Sequence, residues 1–405
     1  MQIYMVGGAV RDKLLGRAVV DHDYVVVGAT VEEMLAAGYT PVGKDFPVFL
    51  HPETHAQYAL ARTERKVAKG YHGFEFYTDT DVTLEDDLIR RDLTINAIAE
   101  DEQGRLYDPY QGVEDLNKRI LRHVSPSFAE DPLRVLRVAR FAARYADYGF
   151  SIADETLALM RCLVDQDEVD ALVAERVWQE VEKALAGENP WIFFQVLRQC
   201  GALARLFPEI ERLFGVPQAK QWHPEVDTGV HTMLVLQQAA RLSPEPVVRF
   251  AALVHDLGKG TTPEEQWPKH IAHEARGVPL VEALCERLKV PGHYRALAFL
   301  VTEFHLNFHR IKELKAATVV DLLARLDAFR RPERFEFFLL ACEADAKGRP
   351  GYENSSEDKT QCFRDFFQAA SGVRSSEIIA RGFQGLEIAE QLRIKRIAAV
   401  KACKE

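Results

Sequence analysis

The chain has 405 residues, 47% of them apolar and 28% charged, with a net charge of −10. That length exceeds a single compact core and predicts about two to four domains, while the acidic balance does not mark a general nucleic-acid binder, although a local basic stripe is enough to contact phosphates. No apolar run is long enough to span a membrane, Gly7-Gly8 interrupt the apolar start with no cleavage pattern after it, and six scattered cysteines without a C-x-x-C pair argue against a disulfide framework or zinc ribbon and for a cytoplasmic location.

In chain order, "QIYMV" predicts a strand, "AVRDKLLG" a short helix, "DYVVVG" a strand and "TVEEMLAAG" a helix. "YALARTERK" reads as a strand leaving into a polar loop, and "LEDDLIRRDLTINAIAE" as a helix. After about residue 125 the strand signals nearly vanish. "EDPLRVLRVARFAARY", "ADETLALMRCLV", "AERVWQEVEKALAG" and "PWIFFQVLRQCGALARLF" all carry the helical spacing of apolar residues. The fold class is therefore α+β: an N-terminal mixed sheet with helices, followed by a mostly α-helical remainder. Segments 215–229 and 346–360, rich in Gly, Pro and polar residues, read as linkers.

Four motifs carry chemistry. In "YMVGGAVRD" a strand runs through two glycines into a helix. The glycines permit a tight turn and close approach of a ligand, the helix start attracts phosphate, and Arg11 can pair with a phosphate oxygen. In "VVDHDYVVVG", Asp21 and Asp23 share one face if the strand reaches back to Asp21. Two such carboxylates repel unless a cation sits between them, so the pair is a divalent-metal site or the solvated end of a strand. The glycine turn with D-x-D about ten residues on is more specific: together they supply the parts for phosphoryl transfer. In "RRDLTINAIA", Asp92 and Asn96 lie four apart beside Arg91. In "EDPLRVLRVARFAAR", Glu130, Arg134, Arg137, Arg140 and Arg144 follow three- and four-residue steps, which sets the arginines on one stripe. Such a stripe is usually a solvated face, but after Asp131 this one lacks the acidic residues that would pair with it along the helix.

In order and spacing, "GGAVRD", "DHD", "RRDLTINAIA" and "EDPLRVLRVARFAAR" resemble the motifs of the class II tRNA nucleotidyltransferases. These CCA-adding enzymes share their head with bacterial poly(A) polymerases. The resemblance is strong over residues 1–145, continues to about 345, and is to the bacterial members with an appended HD phosphohydrolase domain. It implies a nucleotidyltransferase head over 1–125, a helical neck and body for base and tRNA binding over 126–220, an HD domain over 228–329 and a helical tail over 330–405. It implies that Asp21 and Asp23 are catalytic and hold Mg²⁺. Gly8, Arg11, Arg91, Arg137 and Arg140 would bind the nucleotide, ATP or CTP, supported by Asp92 and Asn96. Asp131 and Arg134 would select the base. Glu53 and Glu64 are the candidates for a third acidic group. The implied partners are the tRNA acceptor stem and 3′ end, with no membrane, in a monomer or homodimer.

The histidines form a second constellation. His231, "LVHDLGK" with His255 and Asp256, His270, His273 and His305 follow one another, and adjacent His-Asp in an apolar helix is costly to bury unless paired or ligating metal. "HDLGK" resembles the HD phosphohydrolases, which implies a divalent metal on His255, Asp256, His231, His273 and His305, with Asp345 as a later candidate. Imidazole suits Ni, Zn, Mn or Co; the resemblance implies a transition metal, Ni²⁺ or else Mn²⁺ or Co²⁺, and hydrolysis of phosphomonoesters, 2′-nucleotides or 2′,3′-cyclic phosphates. The competing readings are a poly(A) polymerase on the same head and an inactive RNA-binding homologue. The first would carry a more basic tail than "RIKRIAAVKACKE"; intact Asp21, Asp23 and Arg11 argue against the second.

Overall fold

The computed structural model describes residues 1–19, 22–42, 48–66, 74–77, 80–355 and 358–405. They form two compact units, Met1–Ala184 with Ile192–Leu206, and Leu185–Trp191 with Phe207–Glu405.

The first unit opens with β1 (Gln2–Val6), α1 (Gly8–Leu14), β2 (Asp23–Val27), α2 (Val31–Ala36), β3 (Thr40–Val42), β4 (Val48–Leu50) and β5 (Gln57–Leu60). It continues with β6 (Thr63–Lys66), β7 (Phe74–Tyr77), α3 (Leu84–Ile89), β8 (Ala99–Asp101), β9 (Leu106–Tyr107), α4 (Gly112–Lys118) and β10 (Ile120–Leu121). Among the described residues the main sheet runs β3-β4-β5-β2-β1-β8-β9. It is mixed: β2 pairs parallel with β5 and antiparallel with β1. β2 is apolar on both faces because both are covered. Val25 packs with Tyr4, Val6, Leu84 and Leu88, whereas Val26 packs with Met34, Phe49 and Leu60.

Beyond the sheet, α5 (Leu133–Arg144), β11 (Ser151–Ile152), α6 (Asp154–Asp165), α7 (Ala174–Leu185), α8 (Pro190–Gln199) and α9 (Ala202–Leu206) follow. The second unit is helical: α10 (Pro208–Glu211), α11 (Thr228–Leu242), α12 (Pro246–Val254), α13 (His273–Arg287), α14 (Gly292–His309), α15 (Ala316–Arg325), α16 (Pro332–Lys347), α17 (Lys359–Ser371), α18 (Ser375–Ile379) and α19 (Leu386–Lys404). Among the described residues no helix is long and apolar enough to cross a membrane, and all six cysteines are unpaired.

Three local expectations are corrected. The predicted helix over "LEDDLIRRDLTINAIAE" stops at Ile89, is followed by a single 3-10 turn at Thr94–Asn96, and ends in β8, which pairs with β1. The break is polar: Asp92 Oδ1 accepts the Leu93 N–H at 2.9 Å and the Asn96 side-chain N–H at 2.8 Å, competing with the helix ladder. Glu130 does not share a helix with the arginines, because it ends a 3-10 turn (Pro126–Glu130) and α5 begins after Pro132. The His255-Asp256 pair lies past the end of α12 rather than inside it. There Gly258 lets the chain pass α13, where a Cβ would fall 1.9 Å from the His273 carbonyl oxygen.

Candidate active sites

The first site is a cleft of about 590 Å³ on the first unit. β1 delivers the chain to Gly7, whose φ of +66° and the Arg91 Nη1 only 2.9 Å from a notional Cβ leave room for glycine alone. α1 then turns Arg11 inward. Its Nε is 2.9 Å from Asp12 Oδ1, its Nη1 donates to Asn96 Oδ1 at 2.5 Å, and its guanidinium lies over the Phe141 and Tyr145 rings. Asp92 is the hub. It is 6% exposed, holds Asn96 through Oδ1, and accepts Arg137 Nε at 2.7 Å through Oδ2. Burial pushes its carboxyl up, but the Arg137 charge, the hydrogen bonds from Asn96 and Arg137, and nearby Arg134 outweigh burial and hold it well below the usual carboxylate range.

The arginine stripe of α5 is not a solvated face. Arg137 pairs with Asp92, Arg140 with Glu180 at 2.5 Å, and Arg144 with Asp12 at 3.1 Å. The acidic partners come from other elements, so they are invisible to an i,i+4 reading of the helix. Arg134 is 8% exposed and donates to the carbonyls of Ser127 at 2.8 Å and Arg90 at 2.5 Å. Asp131 Oδ2 accepts from Arg176 at 2.8 Å. Arg91 is tied to buried Asp87 at 3.0 Å.

Asp23, Gly8, Arg11, Arg91, Asp92, Asn96, Asp131, Arg134, Arg137 and Arg140 all line this one cleft. Asp21 lies outside the described residues. The Asp23 carboxylate offers a hard oxygen donor, the type Mg²⁺ prefers. Glu53 is exposed on a turn around His51 and does not line the cleft, and the Glu64 side chain lies outside the described residues. Sequence reasoning missed Arg90 and Arg176, which fix Arg134 and Asp131, and Glu180, which holds Arg140. Arg176 and Glu180 stand four apart on α7, a signal that was there to be used.

The second site lies in the helical unit. α11 supplies His231, the end of α12 His255 and Asp256, α13 His273, α14 His305 and α16 Asp345, all nearly or fully buried. Two triads, His231-His255-Asp345 and Asp256-His273-His305, each bring three ligand atoms within 4.8 Å of one another. His231 Nε2 is 3.0 Å from Asp345 Oδ1, and His273 Nε2 is 3.2 Å from Asp256 Oδ1. The ring orientations are set from behind. Nδ1 of His255 faces the Ala252 carbonyl at 2.8 Å, that of His273 the His270 carbonyl at 2.9 Å, and that of His305 the Val301 carbonyl at 3.1 Å. Nδ1 donation leaves Nε2 as a lone-pair donor toward the centre.

This donor set fits a divalent metal. His255 Nε2 and Asp256 Oδ1 are buried without a hydrogen bond among the described residues. Burial would lower the His255 imidazole, but the Asp256 and Asp345 carboxylates push it up to about 10. The cluster thus draws positive charge, which a divalent cation would supply. Burial instead pushes His305 down to about 3, neutral and able to ligate. His270 is not a ligand: its ring nitrogens face Thr262 Oγ1 at 2.9 Å and the Pro217 carbonyl at 2.8 Å. Sequence reasoning passed over His309, 2.5 Å from Asp345 and one helical turn past His305. It also passed over Glu225, which contacts His223 and His231 at 2.9 Å, and Lys259, 2.6 Å from Asp256. His223 and Glu225 sit in a segment whose composition reads as a linker. The cluster opens into a cleft of about 720 Å³.

Residues 3–122 match the poly A polymerase head domain family, 149–214 the probable RNA and SrmB-binding site of polymerase A, and 228–330 the HD domain. Over 404 residues the chain is 59% identical to a multifunctional CCA protein of Thioalkalivibrio sulfidiphilus, covering 100% of this chain and 99% of that one. The chain belongs to the multifunctional CCA protein family. A second member of that family, from Pseudomonas fluorescens, is 59% identical over 406 residues, again covering 100% and 99%. The solved complex of a CCA-adding enzyme with CTP shares the fold at a TM-score of 0.68 and 22% identity, covering 98% of this chain and 87% of that one. As a multifunctional CCA protein, the chain is a nucleotidyltransferase with a linked HD domain.

Proposed function

We propose that the first cleft adds C, C and A to the 3′ end of tRNA from CTP and ATP without a nucleic-acid template, repairing incomplete ends, and that the second hydrolyses phosphomonoesters and 2′,3′-cyclic phosphates. The observation that carries the first reading is the convergence of ten sequence-selected residues on one cleft. Asp21 and Asp23 would hold Mg²⁺, which supplies activation of the RNA 3′-hydroxyl and neutralises the triphosphate when bound. Arg11, Arg91, Arg137 and Arg140 present guanidinium groups to the triphosphate.

Asp131 and Arg134 select the base. Cytosine and adenine each offer an exocyclic amine beside a ring-nitrogen acceptor, matching a carboxylate acceptor beside a guanidinium donor. Uracil and guanine present the reverse and are rejected. Arg176 holds the Asp131 carboxylate, and the Ser127 and Arg90 carbonyls hold Arg134 in one orientation. A reader fixed in this way needs no template.

In the helical unit, His231, His255, Asp256, His273, His305 and Asp345 would hold a transition metal, with Ni²⁺ ahead of Mn²⁺ and Co²⁺, whose role is to activate water and polarise a phosphate. We read the chain as a head over 1–125, a neck and body over 126–220, an HD domain over 228–329 and a helical tail over 330–405, in a cytoplasmic monomer or homodimer that binds the tRNA acceptor stem. The purified chain, given tRNA ending before the CCA together with CTP and ATP, should return a product three nucleotides longer. A long run of A would instead make it a poly(A) polymerase, and no extension would leave the RNA-binding reading.

A further inference from the structure

His255, His273 and His305 each turn Nδ1 to a backbone carbonyl. His231 does not. Its Nε2 is 3.0 Å from Asp345 Oδ1. Its buried Nδ1, on the other side of the ring, lies 2.9 Å from Glu225 Oε1 yet makes no hydrogen bond among the described residues. Glu225 is equally unusual. Its side chain is 2% exposed, Oε1 also meets His223 Nδ1 at 2.9 Å, and Oε2 is buried without a hydrogen bond among the described residues. With Nε2–H donating to Asp345, a neutral His231 carries its lone pair on Nδ1, so nitrogen and carboxylate lone pairs confront each other in a buried place. That is costly unless a cation lies between them. The spacing suits one. Ligand atoms about 2.1 Å from an ion lie about 3 Å apart where its bonds meet near a right angle, and the three donor atoms of His223, Glu225 and His231 all lie within 4.8 Å of one another.

The backbone is committed to this arrangement. The chain turns at Val226, a β-branched residue held at φ +62°, a conformation that persists only where the surroundings impose it. Val226 N–H donates to the His223 carbonyl at 2.9 Å, and its own carbonyl accepts from Gln218 N–H at 2.6 Å. Asp227 Oδ2 takes the Gly215 N–H at 2.6 Å, and Arg349 Nη1 donates to the Trp222 carbonyl at 3.4 Å. We propose that His223 Nδ1, the Glu225 carboxylate and His231 Nδ1 form a second metal position, outside the inner cluster of His255, Asp256, His273, His305 and Asp345, and that it takes a transition-metal dication such as Zn²⁺, Ni²⁺ or Co²⁺. Two imidazoles and a carboxylate are donors that these ions favour and Mg²⁺ does not. Three protein donors leave coordination positions open, and His223 lines the cleft of about 720 Å³, which gives the ion a way in. His223 and Glu225 precede residues 228–330, which match the HD domain, so the position is an addition to that module. His231 divides the two positions: it serves the outer one through Nδ1 while its Nε2–H holds Asp345.

The test uses the untagged full chain, stripped with a chelator and dialysed against Zn²⁺, Ni²⁺ or Co²⁺, with bound metal counted by elemental mass spectrometry. His223→Ala changes a partly exposed side chain and Glu225→Gln is nearly isosteric, so both should keep the native circular dichroism spectrum. Each should bind one ion per chain fewer than the wild type, and the ions that remain should keep wild-type affinity in calorimetric titration. Co²⁺ reads the position without turnover: His255→Ala combined with Asp256→Ala should keep a cobalt d–d absorption band, which is lost when His223→Ala is added. Equal metal counts in the wild type and both single variants overturn the outer position. So does an equal count with roughly ten- to a hundredfold weaker binding, which would make Glu225 a carboxylate that orients His231 toward the inner ion. The full wild-type count retained in the His255 and Asp256 double variant would sink the inner metal reading and leave the outer position standing.

Discussion

Asp92→Asn tests the hub of the first cleft. The change is nearly isosteric, but it removes the charge that faces Arg137 and sets an amide N–H where that guanidinium donates. Removing one partner of a buried pair costs about 3–5 kcal/mol. The Arg137 side chain is 36% exposed, so water recovers part of this, and about 2–3 kcal/mol is expected. Asn96 links Asp92 to Arg11, so the two arginines proposed to bind the triphosphate lose their positions together. One lost charged hydrogen bond is worth about 1.5–3 kcal/mol, so kcat/KM should fall roughly ten- to a hundredfold, for CTP and ATP alike. The pH dependence has a definite sign. The Asp92 carboxyl is held below the usual range, so its stabilisation is present above an unfolded pKa of about 3.9 and is lost as pH falls through the lower folded value. The wild-type advantage, read by hydrogen exchange in α5 from neutral pH downward, should persist to about pH 4 and shrink below it. Unchanged exchange at neutral pH, or loss of one nucleotide only, would refute the hub.

Asp21→Ala or Asp23→Ala should abolish nucleotide addition while the circular dichroism spectrum stays native, since the metals would lose a charged ligand; wild-type turnover would remove the assignment. Arg134→Ala should cut discrimination against UTP and GTP by roughly ten- to a hundredfold and lower stability, because the Ser127 and Arg90 carbonyls lose their donor; equal slowing with all four nucleotides would show that Arg134 is not a base reader. His255→Ala combined with Asp256→Ala should end phosphatase and cyclic phosphodiesterase turnover while CCA addition continues, and loss of both activities at native folding and tRNA affinity would mean one functional unit. Chelation should stop both reactions, with Mg²⁺ restoring nucleotide addition and Ni²⁺ the phosphohydrolase; restoration of both by Mg²⁺ alone would contradict the ligand argument.

Much of the head was legible because its chemistry sits in short motifs on regular elements. The strands "QIYMV" and "DYVVV" and the glycine turn between them form as their patterns require. The arginine stripe was seen, but its acidic partners were not, because Asp92, Glu180 and Asp12 reach α5 from 45, 40 and 132 residues away. The break after Ile89 was missed because the polar side chains that cause it look, in sequence, like one face of a helix. In the helical unit His255 and Asp256 announced themselves by adjacency. His223, Glu225 and Arg349 did not, since the Gly- and Pro-rich segments that carry them have the composition of linkers. Composition records how freely a loop can bend, not what packs against it, and here both segments meet at one cleft.

The central claim, template-free addition of a fixed short sequence by one pocket that reads C and A, is tested most directly by withholding substrates. Labelled tRNA ending before the CCA should gain two residues with CTP alone and none with ATP alone. With both it should gain C, C and A and then stop, and UTP or GTP should add nothing. Addition of A to the bare end, continued addition past the third residue, or incorporation of U or G at the rate of C would contradict the account.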